Sequence, residues 1–497
     1  MLGNLRTHIK HGLQRGPIVG VLLSLVLTIP AGATTFFVPS SPSQGAFVEP
    51  RLRIGSGDHL YLMWVGRQNK RPHHVFLNRS SDGGHSWQPE SVWLDVDKAE
   101  GSWSSSPQLH TDGRGGVYVA WRMKHRDGRK DVLFTASEDF GRTFGPRIKL
   151  NQEHEAFEPA LSTDGKGHVY VVWSDERVVD QGQPLGKGRG SHHIYFNRSD
   201  DAGKSWLERD VRLNSDHPDP LMSIMRAWPI VHSSADGHVY VAWFDNRDGD
   251  GAVYFRASDD FATTWRAEQR LKVERHGDIL GPLQMVADAQ GHIYLTWADN
   301  REGEFSVYVT TSADFGKTWS KEVRLDRAKT KAAPSTAPVI ACDDTGHVYV
   351  AWHDARHGGW DIYLNMSSDF GRTWRAEEIR LNTDPPGESE ALFPHIALDG
   401  TGRVAVVWQE NRGPEQEEGI YLAWSADFGK IWQPTDLRVD DQRPGHTGFK
   451  PQIAMLAGGA FVVAWEANRQ DSQAIALKVF NPRDLQTVTH SGRPLAP

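Results

Sequence analysis

From about residue 47 the chain alternates apolar and polar positions in short runs, and the runs recur in a fixed order. A proline opens the first run, as in Pro159-Ala-Leu-Ser-Thr-Asp164. A glycine turn follows, then a run ending in tryptophan: Gly167-His-Val-Tyr-Val-Val-Trp173, Gly237-His-Val-Tyr-Val-Ala-Trp243 and Gly346-His-Val-Tyr-Val-Ala-Trp352 are near copies. Asp361-Ile-Tyr363-Leu364 exemplifies the third run and Glu378-Ile-Arg380-Leu-Asn382 the fourth. Period-two alternation bounded by turn residues predicts β-strands throughout. Four strands per unit, repeated, predict the blades of a β-propeller.

The tryptophan ending the second run stands at Trp64, Trp121, Trp173, Trp243, Trp297, Trp352, Trp408 and Trp465, which makes eight units. The eighth, Pro451 to Phe480, has three runs and no clear fourth. Thr34-Thr-Phe-Phe-Val38 precedes Phe47-Val-Glu-Pro50 as Arg147-Ile-Lys-Leu150 precedes Phe157-Glu-Pro159. The N-terminal strand is therefore expected to complete the last blade and close an eight-bladed ring, removing its open edges. Seven blades with an irregular closure is the alternative. The expected organisation is a leader over 1–33, one propeller over 34–482 and a tail over 483–497.

Between the third and fourth runs lies a box, S-x-D-x-G-x-T-W. Ser367-Ser-Asp369-Phe-Gly371-Arg-Thr373-Trp374 and Ser312-Ala-Asp314-Phe-Gly316-Lys-Thr318-Trp319 are complete copies. The copies around Asp82, Asp139 and Asp201 each differ by one conservative change; the copy at Asp260 has Ala262 for glycine, and that at Asp427 has Ile431 for threonine. The boxes recur roughly 54 to 62 residues apart, a period typical of propellers and solenoids. The aspartate can close a hairpin turn on backbone N–H groups, glycine supplies positive φ, and the tryptophan can pack into the seam with a neighbouring unit.

This pattern resembles the Asp-box (BNR) repeat of the sialidase, or neuraminidase, superfamily, over nearly the whole chain past residue 34. The resemblance implies a propeller whose boxes lie on the face away from the functional site. It also implies, as one function, a glycoside hydrolase of exo-sialidase type. Sialidase catalytic domains are six-bladed, so two further blades would displace a six-blade constellation. The family's first arginine lies in an Arg-Ile-Pro-like segment; the nearest stretch here, Glu49-Pro50-Arg51-Leu-Arg53-Ile54, has proline before arginine. No tyrosine–glutamate nucleophile pair stands out.

Charge and composition narrow the function. The net charge is −8, and the leader's Arg6, Lys10 and Arg15 make the remainder more acidic still. With no basic block, a nucleic-acid partner is not expected. The single cysteine, Cys342, excludes an internal disulfide and a cysteine metal site; its apolar strand suggests packing. Neither metal nor cofactor is expected. A basic start, an apolar run from Ile18 to Ile29 and Ala31-Gly-Ala33 form a cleavable secretory signal,. The run is short for a spanning helix, so a periplasmic or secreted protein without stable membrane insertion is expected, an uncleaved anchor being the alternative.

Candidate binding residues fall in two sets. One follows the second-strand tryptophans: Asp175 and Arg177, Asp245 and Arg247, Asp299 and Arg301, Asp354 and Arg356, Glu410 and Arg412. A guanidinium fork suits a ligand carboxylate, but repetition in most blades equally suits structural pairs. The other set breaks the symmetry. The residues before the blade-opening prolines are Glu49, Ser106, Glu158, Trp228, Gly281, Ala337, Phe393 and Lys450. They are expected near the axis on the loop face, with Arg51 and Arg226 close by. Such a mixed rim suits a glycan or protein ligand. The long third-blade loop from Val178 to His193, with Lys187, Arg189 and His192, is expected on the same face as a lid or partner contact. The recurrent His168, His238, His292 and His347 are expected to be structural.

Overall fold

The computed structural model describes residues 35–38, 47–66, 73–95, 101–152, 155–175, 193–215, 228–245, 251–271, 279–326, 333–412, 417–440, 446–469 and 472–481. These form eight four-stranded antiparallel sheets. Blade 1 comprises Phe47–Ile54, Leu60–Gly66, His74–Ser80 and Val92–Trp93. Blades 2 to 8 open at Trp103, Ala156, Ile230, Ile279, Ser335, Glu390 and His446. Blade 8 takes three strands from the C-terminal end of the array. Its fourth is Phe36–Phe37, paired with Leu477 and Ala476, and Val38 extends the pairing by donating its N–H to the Ile475 carbonyl at 3.1 Å. The count is eight rather than seven, and the N-terminal strand closes the ring.

Each seam between adjacent blades carries its own apolar cluster. At the closing seam Leu62 and Trp64 of blade 1 pack with Val462, Ala464 and Leu477 of blade 8. Seven of the eight second-strand tryptophans are among the largest fully buried side chains, Trp465 being 2% exposed. Burying each large side chain contributes about 2–3 kcal/mol, so the repeated tryptophan is the main sequence-level cause of blade stacking.

The boxes are hydrogen-bonded turns. In blade 6 the Ser367 hydroxyl donates to Asp369 Oδ1 (2.7 Å) and accepts from the Gly371 N–H (2.9 Å). The Thr373 N–H and hydroxyl both donate to Asp369, at 2.8 and 2.6 Å. Ile431 retains the backbone bond to Asp427 at 2.9 Å and, lacking a hydroxyl, leaves its side chain 72% exposed. Each box also joins neighbours. The Phe370 N–H donates to the Gly346 carbonyl of its own blade, while its ring stacks 4.4 Å from His292 of the preceding blade. Trp319 packs edge-on against Phe255 of the preceding blade, at 4.9 Å. The recurrent histidines are accordingly seam residues, and His168 and His292 are also bonded to Asp164 and Asp288. Cys342 is half-buried and packs against the blade 5–6 cluster, where burial foremost pushes its thiol up.

Candidate functional site

The first strands touch at all eight seams and therefore surround the axis. Seven of them carry a register irregularity near their start, and the described part of the eighth, in blade 4, begins just after that point. In blade 6 Thr336 pairs with His353 and Val339 with Ala351, so Ala337 and Pro338 together oppose Trp352. In blade 5 three residues, Gly281 to Leu283, occupy that place. The residue before every blade-opening proline has left-handed φ: Glu49 59°, Ser106 52°, Glu158 43°, Trp228 31°, Gly281 83°, Ala337 49°, Phe393 54° and Lys450 46°. Non-glycine residues rarely adopt this conformation, and proline disfavours the compact backbone conformations before it. The bulge resolves a conflict: the chain enters from the preceding blade's last strand, turns at the bulge, and then runs beside the axis.

These eight residues form the rim of the axial mouth. The Ser106 hydroxyl reaches Glu158 Oε2 of the next blade at 3.3 Å. Phe393 is 47% exposed, and Trp228 packs partly against the blade 4–5 core. The Glu49 N–H donates to Glu466 Oε1 at 2.9 Å, and Lys450 Nζ lies 3.4 Å from the same oxygen. Burial lifts the Glu466 carboxyl above its ordinary range, and Lys450 offsets part of that rise.

Below the rim lies a bore. Strand alternation puts the residues one and three places after the proline on one face and the residue between them on the other. The between residues, such as Leu52, Leu109, Leu161 and Ile396, are buried in seam clusters. The flanking Arg51, Arg53, Gln108, His110, His232 and His395 are half-buried and line the axis. They sense one another across it. Burial, then Arg53 and His232, holds the His110 imidazole down at about 3. Burial, then Arg53 and Arg51, does the same to His395. Burial, with Arg51 adding, lowers the Arg53 guanidinium to about 10.

The aspartate–arginine pairs take a different place. Asp299, Asp354 and Glu410 are almost wholly buried. Asp354 accepts from Arg356, from Trp352 Nε1 and from the Ser335 hydroxyl. Arg356 also bonds Glu378 and lies 3.9 Å over the Tyr363 ring. Arg301 repeats this with Asp299, Glu322 and Tyr308, and Arg412 with Glu410, Asp436 and Tyr421. Asp175 and Asp245 are buried and accept from Trp173 and Trp243. These groups direct most of their donors and acceptors within the blade and staple its strands, Glu410 and Arg412 also reaching Asn382 and Asp384 in the connection from blade 6. Arg177, Arg226, Arg247 and the third-blade loop from Val178 to His192 lie outside the described residues.

Glu49, Arg51, Glu158, Trp228 and Lys450 are thus gathered at the mouth and upper bore, apart from the stapling pairs. Arg53, His110, His232, His395 and Glu466 join them and were not singled out from sequence. Their signal was available as the first and third positions after each blade-opening proline, where bore chemistry varies while the strand pattern does not. Among the described residues no group of three or more His, Cys, Asp or Glu side chains is arranged to hold a metal, and no helix is long and apolar enough to cross a membrane.

Residues 237–463 match the BNR repeat-like domain. No curated protein matches the chain. Similar solved structures include a protein of unknown function from Dyadobacter fermentans, with 17% identity, TM-score 0.43, and coverage of 76% of this chain and 94% of that one. An α-L-arabinanase from Penicillium chrysogenum has 16% identity, TM-score 0.37 and coverage of 66% and 93%. The NanB sialidase of Streptococcus pneumoniae has 12% identity, TM-score 0.39 and coverage of 86% and 84%. The blade count rests on the strand pairing above and on none of these likenesses. With seven Asp-boxes in an eight-bladed ring and a BNR repeat-like domain matched across its later blades, the chain is an eight-bladed β-propeller that carries BNR-type repeats.

Proposed function

We propose that this is an exported binding propeller that takes a glycan, or a glycan-bearing protein, at the mouth of its axis. The observation that carries this reading is the rim. Eight equivalent left-handed positions hold two carboxylates, a lysine, a serine, two aromatic rings, an alanine and one glycine. A bulge serving architecture alone would be met most easily by glycine, and each bulky residue there adds about 1–3 kcal/mol of backbone strain. Exposed Phe393 offers a face for a sugar ring, with Glu158, Ser106 and Lys450 as hydroxyl partners on the same rim. The test is a glycan array probed with the protein beginning at residue 34, repeated with Phe393→Ala and Glu158→Gln. Binding weakened about tenfold or more in both variants is expected. An array without signal, or binding indifferent to both, overturns the reading.

A second reading, a glycoside hydrolase of exo-sialidase type, is favoured by one observation: a raised carboxyl, Glu466, beside Glu49 at the mouth. A carboxyl raised by burial beside a second carboxylate is the kind of pair that glycosidic cleavage uses. Fluorogenic glycosides, a sialoside included, separate the readings. Turnover abolished by Glu466→Gln makes the protein an enzyme; no turnover across the panel removes this reading for those linkages. Export is checked by the N-terminal residue of the mature protein, expected to be Thr34.

A further inference from the structure

We propose that the bore below the mouth is a binding site for a small oxyanion group of phosphate or sulfate type, held between Arg51 and Arg53. The two arginines stand on one face of one strand, their Cα atoms about 7 Å apart by strand geometry. The ring encloses both. Arg51 Nη1 donates to the Pro50 carbonyl at 3.2 Å and Arg53 Nη1 to the Leu52 carbonyl at 2.9 Å. Among the described residues neither makes an ion pair with a carboxylate. This contrasts with Arg301 and Arg356, each of which holds two carboxylates, and Arg412, which holds three. The stapling arginines are neutralised within the blades, whereas the two at the axis have only backbone carbonyls as hydrogen-bond acceptors among the described residues. An enclosed guanidinium without a counter-charge is strongly unfavourable, and each retains four further N–H donors.

The surroundings match an anion and not a missing carboxylate. His110, His232 and His395 face the same space, and His395 Nδ1 is buried without a partner. A neutral imidazole offers one N–H, so the bore adds neutral donors around two cations. A tetrahedral dianion can take both arginines and still accept from a histidine. Glu49, on the rim above, is the charge that opposes the lowering of Arg51 by burial. The anion can be free, resident in the bore, or the terminal sulfate or phosphate of a ligand entering at the mouth. The proposal does not depend on the glycan reading.

The experiment is isothermal titration of the full-length mature protein with sodium sulfate, with inorganic phosphate and with N-acetylglucosamine 6-sulfate, against sodium chloride at equal ionic strength. Saturable sulfate or phosphate binding is expected, weakened about tenfold or more in Arg53→Gln. Tighter binding of the sulfated sugar assigns the site to a ligand's terminal group; equal or weaker binding assigns it to a free anion. Thermal melts give a second readout. Arg53→Gln should lose the sulfate-dependent rise in Tm while melting no lower than wild type in chloride. Should that variant fail to fold, Arg51→Gln takes its place, and the wild-type titration stands without either. No saturable binding of any of the three probes overturns the proposal, as does sulfate binding unchanged in a folded variant.

Discussion

Gly316 holds φ at +75° within its box, and a Cβ there would lie 2.5 Å from the Phe255 ring of the preceding blade. Backbone strain and overpacking therefore act together, and Gly316→Ala should cost about 2–4 kcal/mol. A lowered urea midpoint with an unchanged slope checks this. At the equivalent position Ala262 is tolerated at φ 59°, with its methyl buried in the blade 3–4 cluster. Stapling residues obey a different rule. Asp354→Ala leaves the Trp352 N–H without a partner and strips Arg356 of one of its two carboxylates, which should cost about 3 kcal/mol or more. The exposed pair of Asp127 and Arg129, each about half exposed, serves as a control. Asp127→Ala should leave the urea midpoint essentially unchanged, since an exposed pair is screened by solvent.

At the scale of elements, two residues close the ring. Phe36 and Phe37 pair with blade 8, and Phe37 and Val38 pack into the seam clusters on either side of it. Deleting residues 34–38 removes this strand and bares the edge of Ser472–Phe480. The expected outcome is a lower Tm together with self-association through the bare edge, seen as a concentration-dependent shift in sedimentation. The strand was legible in the sequence because Thr34–Val38 stands before Phe47-Val-Glu-Pro50 as other fourth strands stand before their prolines. The boxes, the tryptophan strands and the histidine turns were legible for the same reason: repetition averages out local ambiguity. The bore was not, because its residues interrupt an alternating strand with single polar positions that look solvent-facing when read one strand at a time. Arg53 and His395 lie far apart in the chain and meet only across the axis.

For the whole molecule, acid should act in two stages. His110, His232 and His395 are held near 3, 4 and 3, first by burial; Arg53 adds to the lowering at His110 and His395, and Arg51 at His395. The unfolded chain, with ordinary histidines near 6.5, binds these protons first. The stability they confer is complete above about pH 6.5 and falls as the pH drops towards 4. The boxes follow. Burial by itself would raise Asp139 and Asp201, but the hydrogen bonds from their serine, threonine and backbone partners outweigh it and bring both to about 2. Their contribution is complete above about pH 4 and is lost between pH 4 and 2. Urea midpoints measured from pH 8 to 3 in chloride should decline first below 6.5 and more steeply below 4. Sulfate should flatten the upper stage, since an anion in the bore favours protonated histidine.

The sequence by itself determined the blade and pointed to eight blades and a closing N-terminal strand, because each depends on short-range alternation in a repeated unit; the strand pairing decided eight over seven. It also placed the rim, since the proline marks the residue before it in every blade. The tertiary structure alone decided which charges are satisfied. Arg301, Arg356 and Arg412 find carboxylates within their own blades, whereas Arg51 and Arg53 face a ring of neutral groups contributed by distant blades. The physical reason is that ring closure converges first strands from the whole chain on one axis, and whether an arginine is paired depends on what that convergence brings beside it.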